Sequence, residues 1–393
     1  MKKTRRIVQA IVLSVTLIGV FALGANCERW CPFGGVEALY TYTTQGNMLC
    51  SLGVSNFYIL GGVVVMTLLL RRAFCSYMCP IGTISEWLGA GAARLGIRQV
   101  RVPAGLDRAL SLLKYVVLGL ILYFTWRAGE LIFRGFDPCY ALISRHGTDI
   151  TFWAYVVAGA IVLVSLAVVL PFCRWFCPMA AVLHLFSRFG LTRVQRDGEA
   201  CGDCGLCARA CPMSIPVDRL DRVTLARCTS CLNCVEACPQ KKQGTLRWGP
   251  PALLGRRWSQ GILVALLFLC TSGAVAASYL FPLPSYVKMH GGPLANPSRA
   301  ELRVENLSCR GRANLLFYYL ERDDEYAIPG DFRVEAWPGP GVVDVHVFHD
   351  PAVADEEMIK QAVTEPYYDA VQNLWRESPF RIEGYDPLGL DLP

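Results

Sequence analysis

CGDCGLCARACP at 201–212, repeated as CTSCLNCVEACP at 228–239, is the stretch from which the rest of the chain is read. Each half is C-x2-C-x2-C-x3-C-P, a run in which three closely spaced thiolates take three corners of a cubane and the fourth serves the other cluster. The expected ligand sets are therefore Cys201, Cys204 and Cys207 with Cys238, and Cys228, Cys231 and Cys234 with Cys211. Zinc is the plainer alternative, but a zinc site closes with four ligands, usually as two separated pairs. Two triplets each ending in C-P favour two [4Fe–4S] clusters.

Working outward, 53% hydrophobic residues against 18% charged in 393 residues point to a membrane chain. Five stretches are long and apolar enough to be read as spans, at 7–25, 54–70, 111–126, 152–171 and 261–281. The first follows MKKTRR and lacks a clear cleavage site, so it reads as an anchor rather than a removed signal. Lys and Arg alternate between loops: four in 1–6, one in 26–53, seven in 71–114, three in 127–151 and thirteen in 172–258. That alternation places the N-terminus and the cysteine run in the cytoplasm and residues 282–393 outside. The tail holds 10 basic and 19 acidic residues and the remainder 28 and 13, so topology, not nucleic-acid binding, accounts for the positive charge.

Two further cysteine pairs end predicted spans in the same way, RRAFCSYMCP (Cys75, Cys79) and FCRWFCP (Cys173, Cys177). In C-x3-C the thiols share a helix face, and the following Pro suits the first turn of a new helix. All four thiols could converge at the cytoplasmic end of spans two and four, as a third cluster or as two redox dithiols. At the outer side Cys27, Cys31, Cys50 and Cys139 could meet, as a fourth cluster or as disulfides. Cys270 within the fifth span reads as packing. The basic stretch to about 108, with Arg94, Arg98, Arg101 and Arg108, is expected along the inner surface. His184 is a candidate contact for a quinone or a cluster, and Glu86 and Trp87 have similar standing. No C-x-x-C-H haem motif, phosphate-binding glycine loop or hydrolase nucleophile elbow is present.

The tail predicts strand 301–307, helix 311–322, strand 331–337, strand 342–348, helix 355–364 and strand 379–384, a β-α-β-β-α-β order of the split βαβ kind. His346 and His349 fall on opposite faces of one strand, which argues against a shared metal.

The two C-x3-C-P dyads followed by a double ferredoxin run resemble the membrane-bound polyferredoxin family of NapH and the C-terminal half of NosR, over about 7–250. CPFGGVEALY, RRAFCSYMCPIGTISEWL and DPCYALIS look like further signatures of it. The resemblance implies electron transfer linked to the quinone pool on behalf of a partner redox protein. A fifth span with an outer domain is similar instead to the CcoG (FixG) proteins, which implies copper reduction in oxidase assembly. The tail pattern resembles a heavy-metal-associated domain, but NLSCRGR keeps one thiol, Cys309, with Arg312 where a second would stand.

The expected fold is thus an α-helical membrane protein of about five spans, with an inserted ferredoxin-like domain and a C-terminal α+β domain. Its parts are a helical region at 1–190, a cytoplasmic double-cluster domain at 191–258, a fifth span at 259–281 and an outer domain at 282–393. Its expected work is that of an electron-transfer subunit in the bacterial inner membrane, touching lipid, a redox partner and a quinone. A metal-reducing assembly factor and a redox sensor are the competing readings.

Overall fold

A computed structural model describes residues 2–25, 27–46, 52–128, 131–144, 150–240, 243–250, 258–294, 296–369 and 374–385. The chain falls into two compact units, Met1–Glu37 with Ser55–Tyr279, and Ala38–Val54 with Leu280–Pro393.

In the first unit, helices α1 (Lys2–Leu17), α2 (Pro32–Gln45, whose end belongs to the other unit), α3 (Ser55–Leu70), α4 (Ala73–Tyr77) and α5 (Pro80–Arg94) come first. They are followed by α6 (Ala104–Leu110), α7 (Leu113–Ala128), α8 (Pro138–Ile143), α9 (Phe152–Ala167), α10 (Pro171–Trp175) and α11 (Pro178–Ser187). Among the described residues three helices are long and apolar enough to cross a bilayer: Lys3–Ala22, Ala104–Ala128 and Gln260–Leu280. The second and fourth expected spans are shorter helices of 16 residues each, α3 and α9. At 1.5 Å per residue each covers about 24 Å, less than the hydrocarbon thickness of about 30 Å. The third expected span starts earlier than its apolar run: α6 begins at Ala104, where a surface stretch was expected. It does so because Asp107 is buried against partners from other segments instead of facing headgroups. Arg94, Arg98, Arg101 and Arg108 are exposed.

Helices α3-α4-α5 and α9-α10-α11 repeat one design. A left-handed residue precedes the one-turn helix in each copy, Arg71 (φ 58°) directly after α3 and Leu170 (φ 52°) three residues after the end of α9. Non-glycine residues pay about 1–3 kcal/mol to sit there and persist when their surroundings hold them. Arg71 is held by three hydrogen bonds, from Nε to the Thr192 carbonyl at 3.1 Å, Nη1 to Leu225 at 2.8 Å and Nη2 to Thr224 at 3.2 Å. Polar contacts also anchor α1: Arg5 pairs with Glu86, Gln9 Nε2 donates to the Ser76 carbonyl at 2.9 Å, and Trp87 Nε1 donates to Gln9 at 3.1 Å.

The cysteine run lies between β1 (Arg193–Arg196) and β2 (Leu246–Gly249), with short helices α12 (Leu206–Arg209) and α13 (Asn233–Ala237) inside it. The two strands pair antiparallel, Arg193 opposite Gly249 and Arg196 opposite Leu246, and so close the segment on itself. Helix α14 (Gln260–Leu280) packs on α3 where Gly62 leaves room, since a Cβ there would meet Ala274 Cβ at 2.6 Å.

The tail of the second unit contains β3 (Tyr286–His290), β4 (Ser298–Glu305), α15 (Arg310–Leu320), β5 (Phe332–Ala336), β6 (Val342–His349) and α16 (Glu356–Thr364), then β7 (Tyr367–Asp369), β8 (Leu374–Arg376) and β9 (Arg381–Ile382). One antiparallel sheet runs in the order β3-β5-β6-β4-β9, and β7 and β8 form a separate hairpin. Period-two burial along β4 and β6 sends Leu302, Val304, Val345 and Val347 to the core under α15 and α16. Strand β3 and the β7-β8 hairpin were absent from the sequence expectation, and the last strand is two residues long rather than six. Strands β3 and β9 owe their pairing to partners far along the chain, whereas β7 and β8 pair with each other locally, and all of them carry little alternation of their own.

Candidate functional site

Each C-x2-C-x2-C loop bends twice through left-handed backbone, at Asp203 (φ 44°) and Gly205 (φ 65°), and at the matching Ser230 (φ 47°) and Leu232 (φ 60°). These bends turn the chain around the middle cysteine. Two cavities result. One is lined by Cys201, Cys204, Cys207 and Cys238. The other is lined by Cys211, Cys228, Cys231 and Cys234, with Ile215, Val223 and Leu232 making it apolar. Each cavity thus takes three thiols from one half and the fourth from the other. Cys204 is exposed, whereas Cys207 and Cys234 are buried. Burial pushes the Cys211 thiol up to about 12, with Cys231 adding to the effect, and raises Cys228 and Cys234 as well. Thiols in such walls keep their protons until a metal displaces them. Among the described residues no three His, Cys, Asp or Glu side chains converge on a single-ion site. A tetrahedral zinc would draw its sulfurs to about 3.8 Å of one another, so the four-thiol cavities suit a polynuclear cluster better.

The dyads come together as well. Cys173 lies within electrostatic reach of Cys75, Cys79 and Cys177, and Cys177 within reach of Cys75 and Cys79. The shared helix face expected for each C-x3-C does not form. Instead the one-turn helix ends at Tyr77 or Trp175, and the second cysteine sits in extended backbone at the start of the next helix, Cys79 at ψ 120° and Cys177 at ψ 116°. Proline at position 80 or 178 enforces this, because it disfavours helix in the residue before it. The second amide bends back to the same place in both copies, Cys79 N–H to the Phe74 carbonyl at 3.0 Å and Cys177 N–H to Phe172 at 2.9 Å. Gly82 is required beside it, since a Cβ there would meet the Cys75 carbonyl oxygen at 2.5 Å.

Around these four thiols the protein gathers positive charge. Arg72 is fully buried, and its Nη2 donates to the Cys173 carbonyl at 3.5 Å. Among the described residues its Nε and Nη1 have no hydrogen-bond partner. Lys114 is buried too, within reach of Cys177. Arg174 and Arg227 share the Asp107 carboxylate, Arg227 Nη1 at 2.8 Å, and Trp175 Nε1 donates to it at 2.9 Å. No spacing motif in the sequence marks these residues. RR directly before the first dyad and R within the second were the available signal, and they were absorbed into the count of cytoplasmic positive charge.

On the other side the electrostatics reverse. Cys31 is near Asp137 and Glu37, and the Cys139 N–H donates to Asp137 at 3.0 Å. Burial pushes the Glu37 carboxyl up to about 8 and Asp137 to about 6. Cys50 lies outside the described residues, and of Cys27 only the backbone of the turn Cys27–Trp30 is described. Cys270 is half-buried on α14. Cys309 is exposed at the start of α15, and Arg312 donates to the Asn306 carbonyl at 3.0 Å, so no second soft ligand joins it. His349 is buried and His346 half-buried, three positions apart on β6. His184 Nδ1 meets the Tyr115 hydroxyl at 2.6 Å, while Glu86 and Trp87 hold α1 as described above.

Comparison with known proteins adds the following. A 4Fe-4S binding domain family matches residues 52–98 and again 150–196, one dyad in each match, and a 4Fe-4S dicluster domain family matches 193–239. The chain is similar to the putative electron transport protein YccM of Escherichia coli K12, with 32% identity over 253 residues, 62% of this chain and 70% of that one. It is also similar to the ferredoxin-type protein NapH of the same organism, with 27% identity over 271 residues, 63% of this chain and 90% of NapH. The regulatory protein NosR of Pseudomonas aeruginosa is 29% identical over 167 residues, 42% of this chain and 23% of NosR. No solved structure matches.

Proposed function

We propose a function from one premise: this chain belongs to the NapH/NosR-type family of membrane-associated 4Fe-4S ferredoxin-type proteins. It is a membrane-bound relay that moves electrons one at a time between the quinone pool or a cytoplasmic donor and a partner redox protein. Cys201, Cys204, Cys207 and Cys238 hold one [4Fe–4S] cluster, and Cys228, Cys231, Cys234 and Cys211 hold a second. Cys75, Cys79, Cys173 and Cys177 hold a third. Such clusters supply one-electron storage at potentials set by their ligands, hydrogen bonds and burial. The protein's own part is to fix the thiolates, exclude water and balance charge.

The observation that carries the third site is the buried Arg72, two of whose nitrogens have no partner, beside four gathered thiols. An unpaired buried charge costs several kcal/mol, and four thiolates around iron supply the missing anion. Two dithiols in their neutral form would not. Mössbauer iron counting on anaerobically purified full-length protein tests this. About twelve cluster irons per chain are expected from three cubanes of four; eight would remove the membrane-end cluster.

The remaining readings follow the sequence. Charge alternation supports a cytoplasmic N-terminus and double-cluster segment, five spans and an outer C-terminal domain in an inner membrane. For the quinone, the pair Tyr115–His184 supports a head-group contact: an ionisable pair on apolar helices is a functional candidate by default. His184 follows Cys177 by seven residues on α11, two turns along nearly the same face. His184→Ala is expected to slow reduction of the protein by a hydroquinone in proteoliposomes at least tenfold with iron content unchanged. An unaltered rate would remove that contact.

A further inference from the structure

We propose that Arg72 is a positioning residue that raises the reduction potential of the membrane-end cluster. The inference rests on the third-cluster reading above. Its observations are geometric. Arg72 directly follows the left-handed Arg71 and directly precedes α4, which carries Cys75. The guanidinium is fully buried, touches the Cys173 carbonyl, and leaves Nε and Nη1 unpartnered. Its charge is within electrostatic reach of Cys79, Cys173 and Cys177 of the dyads and of Cys228 of the double run. Arg71, its neighbour, spends its donors on the carbonyls of Thr192, Thr224 and Leu225, three residues before Cys228. One arginine therefore docks the double run, and the next is left with donors to spare for sulfur.

The redox consequence follows from charge. Adding one electron to a cluster adds one negative charge, which a buried cation stabilises more than it stabilises the oxidised form. N–H donors to cluster sulfur act in the same direction. Arg72 thus makes the membrane-end site easier to reduce than its four-thiolate ligation alone would.

Redox-titrated EPR on full-length wild-type, Arg72→Gln and Arg72→Lys protein, with iron counted in each, tests this. The expected result is a membrane-end signal moved to lower potential in Arg72→Gln and partly restored in Arg72→Lys. The signal of the cluster at Cys201, Cys204, Cys207 and Cys238 should stay in place. A membrane-end signal at its wild-type potential in Arg72→Gln, with iron content intact, overturns the proposal while leaving the third cluster standing. If Arg72→Gln loses iron, Arg72→Met, neutral and of similar length, decides: a potential identical to wild type overturns it, a lowered one supports it. Wild-type protein lacking the third signal sinks the underlying reading instead.

Discussion

Replacing Cys173 and Cys177 together by serine is expected to lower the iron content from about twelve to about eight per chain and to leave both clusters of the double run spectroscopically unchanged. Serine keeps the volume, but its hydroxyl is a poor ligand for a soft, thiolate-bound cluster. The loss should stay local, because the double run has its own two cavities, lined by none of the dyad cysteines. A second effect should accompany it. Arg72 would be left buried without a counter-anion, at a cost of several kcal/mol, so the variant should also melt earlier in detergent. Iron counting and a thermal scan check both. Unchanged iron would mean that the dyads hold no cluster.

Asp107→Asn is expected to destabilise the first unit by about 3–5 kcal/mol, the range for breaking a buried ion pair by removing one partner. Asp107 accepts from Arg174, from Trp175 Nε1 at 2.9 Å and from Arg227 Nη1 at 2.8 Å. It thereby ties α6 to α10 and to the segment just before Cys228. Asparagine fills the same space but removes the charge and leaves Arg174, almost fully buried, uncompensated. Arg227→Ala is the control. That side chain is 27% exposed, so water screens part of the interaction, and the cost should be about 1 kcal/mol. Denaturant titration in detergent distinguishes the two. Equal, small effects would show that Asp107 is held by packing and not by charge.

The chemistry was legible in the chain because cluster ligation depends on local spacing. C-x2-C-x2-C-x3-C-P specifies its own loop, and the two cavities take the thiols in the crossed sets that the spacing implies. The repeated dyad was equally visible, since Pro80 and Pro178 act on their immediate neighbours. Strand β3 and the pairing of β1 with β2 were not visible, because their partners lie some fifty residues away and four or five residues carry too little pattern.

Charge was the property whose burial the sequence did not reveal. Arg71, Arg72, Lys114 and Arg174 read as loop and interface cations, and by composition nothing separates them from Arg94 or Arg98. The tertiary structure buries the first four and exposes the other two. Sequence by itself determined which thiols stand at cluster spacing, because that spacing is written in short intervals. Only the tertiary structure decided which charges face those atoms. Burial is a property of the whole packing, and a cation's effect on a cluster depends on the water removed from around both.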